Sequence, residues 1–236
     1  MRAGTLILAA AAVALAFSCT DDGGAVISDI TEMGTVVNGR IVNDMGLTYT
    51  VTEDGSGTRW NAMDRILYNC DILTRTSPTA YDIRLKAAME PGIMQIVTDA
   101  EATEAPESDP AQIFAAWAGG GYLNIGFRFL VKESSQEPAI SETHSFSVEA
   151  FPAPEVSDTL FLYLRHDAGG EFFGQDDSPA SDYKTATSYA CIPLGEVIAP
   201  GGSRDVCLSW IWHKSSEEGE LLTGTELLST AARCEI

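Results

Sequence analysis

The chain is short of bases. It carries 14 Lys and Arg against 34 Asp and Glu, a formal net charge of −20 over 236 residues. Such a surplus of carboxylates repels phosphate backbones and argues against nucleic acid as a partner. Histidine is scarcer still, at three residues, and leaves little room for an imidazole metal centre. There are five cysteines and no Cys-x-x-Cys, so zinc ribbons and thioredoxin-type redox motifs are excluded. No Gly-rich loop opens a helix, and neither Gly-x-Ser-x-Gly nor His-Glu-x-x-His occurs; the nucleotide, hydrolase and metalloprotease signatures are missing. Beyond residue 18 no apolar run approaches the ~20 residues a membrane-spanning helix needs. The sequence therefore presents no catalytic, cofactor-binding or metal-binding set, and it reads as non-enzymatic.

What is present begins at the amino terminus. Met1 and Arg2 make a short positive start, Thr5 to Phe17 is uncharged and mostly apolar, and small Ser18 precedes Cys19. Length and charge mark residues 1–18 as a signal peptide. The pattern resembles a bacterial lipoprotein signal, with cleavage before Cys19, a diacylglycerol on its thiol and an acyl chain such as palmitate on its new amino group. Leu15 lies one residue earlier than the leucine of the usual box, where this chain has Ala16; ordinary secretion with Cys19 as a plain thiol is the alternative. Two or three acyl chains give a stable anchor at about 0.8 kcal/mol per buried CH₂. Residues 19–27 read as a lipidated tether, because Thr20-Asp21-Asp22-Gly23-Gly24 cannot build a core. That acidic stretch also resembles a surface-export signal, so the expected address is the outer membrane, facing outward.

Alternation governs the rest. In residues 28–98, Leu47, Tyr49 and Val51 alternate with threonines. Ile66, Tyr68, Cys70 and Ile72 follow, and then Tyr81, Ile83, Leu85 and Ala87 face away from Asp82, Arg84 and Lys86. With Ile93 to Val97 closing the sheet, five short strands predict an OB-like β-barrel. Residues 99–110 hold Asp99, Glu101, Glu104, Glu107 and Asp109 with no base and read as an acidic, solvated linker; no calcium-loop spacing supports an ion site. In residues 111–236, after the break at Gly119-Gly120-Gly121, come alternating runs. They are Leu123/Ile125/Phe127/Phe129, His144/Phe146/Val148, Leu160/Leu162/Leu164, Ala190/Ile192/Leu194 and Val206/Leu208/Trp210/Trp212. Runs at this spacing predict a β-sandwich, and the fold class is all-β. Glu220 to Arg233 is the one stretch that could be a helix.

Several side chains invite a functional reading, each beside a plainer one. Cys191 and Cys207 fall on consecutive predicted strands of an exported chain, where a disulfide is permitted and its geometry demanding; Cys70, Cys191, Cys207 and Cys234 can equally be buried thiols. His144, His166 and His213 lie on or beside strands, as satisfied strand histidines or as ligands. Trp210, Trp212, Phe172 and Phe173 could stack on a sugar, or pack in the core. Asp176-Asp177 and Glu217-Glu218 are acid–base candidates only in the weak sense that any acidic surface supplies carboxylate pairs.

The first domain contains Gly34-Thr35-Val36-Val37, Trp60-Asn61-Ala62 and Arg65-Ile66-Leu67-Tyr68. The second contains Gly120-Gly121-Tyr122-Leu123-Asn124-Ile125-Gly126-Phe127, His144-Ser145-Phe146 and Leu162-Tyr163-Leu164-Arg165-His166-Asp167-Ala168. In these segments the chain resembles the NigD-like lipoprotein family. In this chain Asp167 stands where the family has Asn, and Gly169-Gly170 alters the following loop. The resemblance implies an OB barrel joined to a β-sandwich, and a cell-envelope lipoprotein with a binding or protective role. That role is like the bacteriocin immunity proposed for the member that named the family. A protein or glycan ligand is expected, no cofactor, and membrane attachment through Cys19. A glycan-binding or glycan-hydrolysing surface protein is the alternative.

Overall fold

The computed structural model describes residues 27–98, 107–132, 144–151, 159–170, 173–174, 180–216 and 221–235. The signal peptide, Cys19 and the tether as far as residue 26, Phe172, Asp176-Asp177 and Glu217-Glu218 lie outside the described residues, as do positions 99–106 of the acidic segment. The chain divides into two compact units. Among the described residues one comprises positions 27–92 with Gly119–Gly121, the other positions 93–118 and 122–235.

The first unit is a closed barrel of five strands. They are β1 (Ile27–Val37), β2 (Arg40–Asn43), β3 (Thr48–Asp54), β4 (Arg65–Ser77) and β5 (Ala80–Met89), in the order β1-β2-β3-β5-β4. Asn38-Gly39, both with positive φ, form the tight hairpin between β1 and β2, as that dipeptide favours. β3 and β5 run parallel, and β1 closes against β4. The interior is filled by Ile41, Tyr49, Ile66, Tyr68, Cys70, Ile72, Tyr81, Ile83 and Leu85, capped by Trp60. Alternation holds along β5 as far as Leu85. There Asn69 pairs with Ala87 while Cys70 pairs with Leu85, so Lys86 is an extra residue. Such a bulge shifts the phase by one; Ala87 faces solvent and Ala88 the core, the reverse of the expectation from spacing. Arg65 and Asp44 form a buried two-bond ion pair at 2.6 and 2.7 Å. The Gly119–Gly121 turn belongs to this unit. A Cβ on Gly120 would lie 2.6 Å from Asp44 Oδ1, and φ there is +59°. The triple glycine is thus a packing requirement as well as a break.

The second unit has two sheets. Strands β6 (Gly92–Ile93), β7 (Ile96–Thr98), β8 (Ala111–Gly119), β9 (Tyr122–Lys132), β10 (Ser145–Phe151), β11 (Leu160–Asp167), β12 (Tyr183–Pro193), β13 (Ser203–Ser215) and β14 (Leu221–Glu235) follow in chain order. One sheet runs β14-β13-β11-β10-β7 and the other β6-β12-β9-β8. The predicted inward runs of both sheets join one apolar core, so the unit is a β-sandwich.

Four expectations are corrected here. Ile93 to Val97 does not close the barrel: β6 joins the sheet of β12 and β7 joins that of β10. The stretch Glu220 to Arg233 is not helical from Leu221 on, because Leu228, Ala232 and Cys234 recur at even spacing and pack as strand β14 on the core. Cys191 and Cys207 stand in different sheets, and all four of Cys70, Cys191, Cys207 and Cys234 are free thiols. The end of the acidic segment is tied down rather than solvated. The Asp109 N–H donates to the His166 carbonyl (2.8 Å), Asp109 Oδ2 accepts from the Ala168 N–H (2.7 Å), and Arg165 Nε donates to the Glu107 carbonyl (3.2 Å).

Candidate functional site

Among the described residues, four clusters carry acid–base chemistry. In the sandwich, His144 lies just before β10 in phase with Phe146 and Val148, and His166 lies on β11 in phase with Leu162 and Leu164, so both imidazoles point inward. His144 Nδ1 and His166 Nε2 are 2.9 Å apart, and His166 Nδ1 is 3.1 Å from the Pro110 carbonyl. A carbonyl only accepts, so His166 Nδ1 carries the hydrogen; in the neutral ring Nε2 then accepts from His144 Nδ1. Phe146 stacks on His166, and Phe129 from the opposite sheet covers both imidazoles at 4.9 and 5.4 Å. Burial, with His144 second, drives the His166 pKa down to about 4; the Pro110 carbonyl and Asp167 oppose that only in part.

His213 forms a separate cluster on β13. Its ring meets Phe173 and Trp212 edge to face, and Phe173 in turn meets Tyr183. Burial lowers its pKa, offset in part by a backbone hydrogen bond with Leu222. Trp210 and Trp212 are both buried in the sandwich core. Core packing therefore takes both tryptophans and Phe173, and the sugar-stacking platform is not formed by them.

In the barrel, Glu32 Oε2 accepts from Asn43 Nδ2 (2.9 Å), from the Tyr68 hydroxyl (3.0 Å) and from the Tyr49 hydroxyl (3.5 Å). Spacing passed over this cluster because its members come from four strands. Burial first and the Glu32 charge second hold both phenols well above their ordinary range. Burial also pushes the Cys70 thiol up to about 12. On the outer surface, Lys86 bridges Asp29 and Asp71, and Arg84 pairs with Glu53. These groups edge a shallow cleft of about 380 Å³ lined by Glu53, Asp54, Gly55, Arg84, Leu85 and Lys86. The Asp29 N–H and then Lys86 depress the Asp71 carboxyl below its usual range. Of the cleft's cations, Arg84 is matched by Glu53 and Lys86 by Asp29 and Asp71.

Among the described residues no group of three or more His, Cys, Asp or Glu is arranged to hold a metal ion. What these clusters can do chemically is bounded by enclosure. The paired imidazoles are sealed by aromatic rings, and the barrel phenols are spent on one carboxylate.

No protein-family profile matches the chain, and no curated protein matches it in sequence. Solved structures do match its fold. A NigD-like immunity protein from Bacteroides caccae is similar at a TM-score of 0.55 and 18% identity, over 87% of this chain and 94% of that one. A protein from Bacteroides fragilis described as a candidate lipoprotein is similar at 0.57 and 12%, over 88% and 97%. A protein from Parabacteroides distasonis described as toxin-related is similar at 0.52 and 19%, over 86% and 92%. Solved proteins from Bacteroides and Parabacteroides thus share this chain's fold over most of its length.

Proposed function

We propose that the protein is a cell-envelope lipoprotein with a non-enzymatic binding or protective role. It is anchored in the outer membrane through Cys19 and faces outward, with an immunity-like task of engaging another protein. The observation that carries this reading is the enclosure of the acid–base groups. His144, His166 and His213 are buried against aromatic rings, so none of the three histidines stands where a substrate could reach it as a general base. The fold likeness to an immunity protein and to a candidate lipoprotein supports the role and the address. The strand order β1-β2-β3-β5-β4, with β3 and β5 parallel, supports reading the barrel as OB type, a fold that commonly presents a binding face.

Fractionation and capture test this together. Native protein should sediment with outer membrane and be shaved from intact cells by protease, whereas Cys19→Ser should appear soluble in the periplasm. Tagged mature protein should capture a specific envelope or secreted protein. Turnover of any glycan on an array by the purified chain would overturn the non-enzymatic reading.

A further inference from the structure

Strand β14 stands at the end of the five-stranded sheet, and among the described residues β13 alone pairs with it. An edge strand presents a row of N–H and C=O groups without ladder partners, a template for another strand. Folds ordinarily keep such edges short or interrupt them with Pro, Lys or bulges. Two other edges of the sandwich are short, β6 with 2 residues and β7 with 3, while the edge strand β8 has 9. β14 has 15 residues and contains neither Pro nor Lys. Its register shift lies between His213 and Ser215 of β13, so Thr225 to Glu235 pairs with Ser203 to His213 without interruption. At ~3.3 Å per residue this is roughly 36 Å of regular edge.

The side chains suit an occupant. Leu228, Ala232 and Cys234 pack on the core and hold the strand in place, while Leu227 on the other face is 62% exposed. Charge selects among possible strands. Arg233 is paired with Asp205 at 3.0 Å, Glu226 is exposed, and the chain as a whole carries −20. A second copy would bring the same −20 to the contact; a basic strand meets it with the opposite sign.

We propose that β14 receives an extended, basic segment of a partner protein as an added sixth strand of this sheet. The ladder supplies the affinity, Leu227 an apolar contact and Glu226 a charge partner. The inference rests on the binding role proposed above and names the surface that performs it.

The test uses the mature chain carrying Cys19→Ser. The probe is a labelled nonapeptide, Lys-Val-Lys-Val-Thr-Val-Lys-Val-Lys, compared with a counterpart N-methylated on both strand edges and otherwise of the same charge. The unmethylated peptide should bind at least tenfold tighter and should slow hydrogen exchange at β14 amides. Leu227→Lys, with its melting temperature checked, should weaken binding at least tenfold. Equal affinity for the methylated peptide, or protection confined to other strands, overturns the proposal. So does a concentration-dependent dimer that protects β14 without peptide, which would give the edge to a second copy. Capture of an envelope partner that survives Leu227→Lys overturns the edge and leaves the binding role standing; capture by neither form overturns both.

Discussion

Phe146 and His166 stand opposite each other across the β10–β11 ladder, ring planes within 6° and centroids 4.4 Å apart. The stack covers an imidazole whose two nitrogens already face Pro110 and His144. A second proton on His166 would force His144 to exchange the hydrogen on its Nδ1. The hydrogen-bonded pair, with His166 neutral, is therefore a structural element of the sandwich, with a cost that appears in acid.

Stability should fall as pH falls from about 6.5 to about 4. His166 stays neutral in the folded chain down to about 4, against 6.5 when unperturbed. In that window the unfolded chain binds more protons, so acid favours unfolding. The contribution is fully present above about 6.5 and lost as pH drops through 4. One such histidine gives a slope of up to about 1.4 kcal/mol per pH unit, and His213, also depressed by burial, acts with the same sign. Urea midpoints measured across this range check the slope. It should flatten in His166→Phe, and an unchanged slope would place the titrating group elsewhere.

The Arg65–Asp44 and Arg233–Asp205 pairs should behave very differently. Asp44→Ala leaves the buried Arg65 guanidinium without its carboxylate and should cost about 3–5 kcal/mol. Asp205→Ala removes the partner of exposed Arg233 and should cost under about 1 kcal/mol. Denaturant titration of both variants at one pH decides; equal losses would contradict the burial difference.

Glycines 34 and 126 should rank by what a new methyl meets. At Gly34 the Cβ would lie 2.8 Å from the Val42 carbonyl oxygen, a backbone atom on the paired strand β2. At Gly126 it would lie 2.6 Å from the ring of Phe114, which is 40% exposed and can swing outward. Overpacking costs typically about 1–3 kcal/mol. Gly34→Ala should fall at the upper end and Gly126→Ala at the lower, read as melting temperatures of the two variants.

One thiol should react ahead of the others. Cys207 is half-buried, whereas Cys70, Cys191 and Cys234 are buried, with Cys70 pushed up to about 12 and Cys234 up to about 11 by burial. Thiolate is the reactive form. A Cys19→Ser protein titrated with an aromatic disulfide at pH 8 should therefore show one fast equivalent, mapped to Cys207, and all four only in denaturant. A fast second equivalent at Cys191 would contradict its burial.

Much of the strand content was legible because alternation is a backbone property. Tyr81 to Leu85 reads correctly because one face is buried and the other is not; Leu123 to Phe129 reads correctly from its apolar alternation even though Asn124 and Gly126 on its other face are buried too. Legibility stopped where the pairing partner decides. Lys86 is an extra residue only relative to β4, so the flip at Ala87 has no local signature. Leu221 to Glu235 mixes good helix formers with Thr and Ser, and becomes a strand because β13 offers a ladder. Asn38-Gly39, by contrast, was a readable hairpin signal that a search for alternation alone passes over. The histidines were visible as strand residues, but their stacking needed Pro110, Phe129 and β11 in one place. The barrel's carboxylate and phenols could not be grouped from spacings, since Glu32, Asn43, Tyr49 and Tyr68 come from four different strands.

The short strands β6 and β7 follow directly on the barrel, yet one lies in each sheet of the sandwich. Anyone excising the second unit must therefore cut early. A fragment beginning at residue 99, where the charge run invites a boundary, would leave β10 without the parallel neighbour that meets it at Val148 to Ala150. It would also strip β12 of β6 and remove the Met94 N–H that donates to the Cys191 carbonyl. Beginning instead at Glu90 keeps both strands. The practical joint of this protein is therefore about ten residues ahead of its most linker-like sequence, and domain-swapped or truncated relatives designed at the acidic run would inherit two raw, aggregation-prone margins.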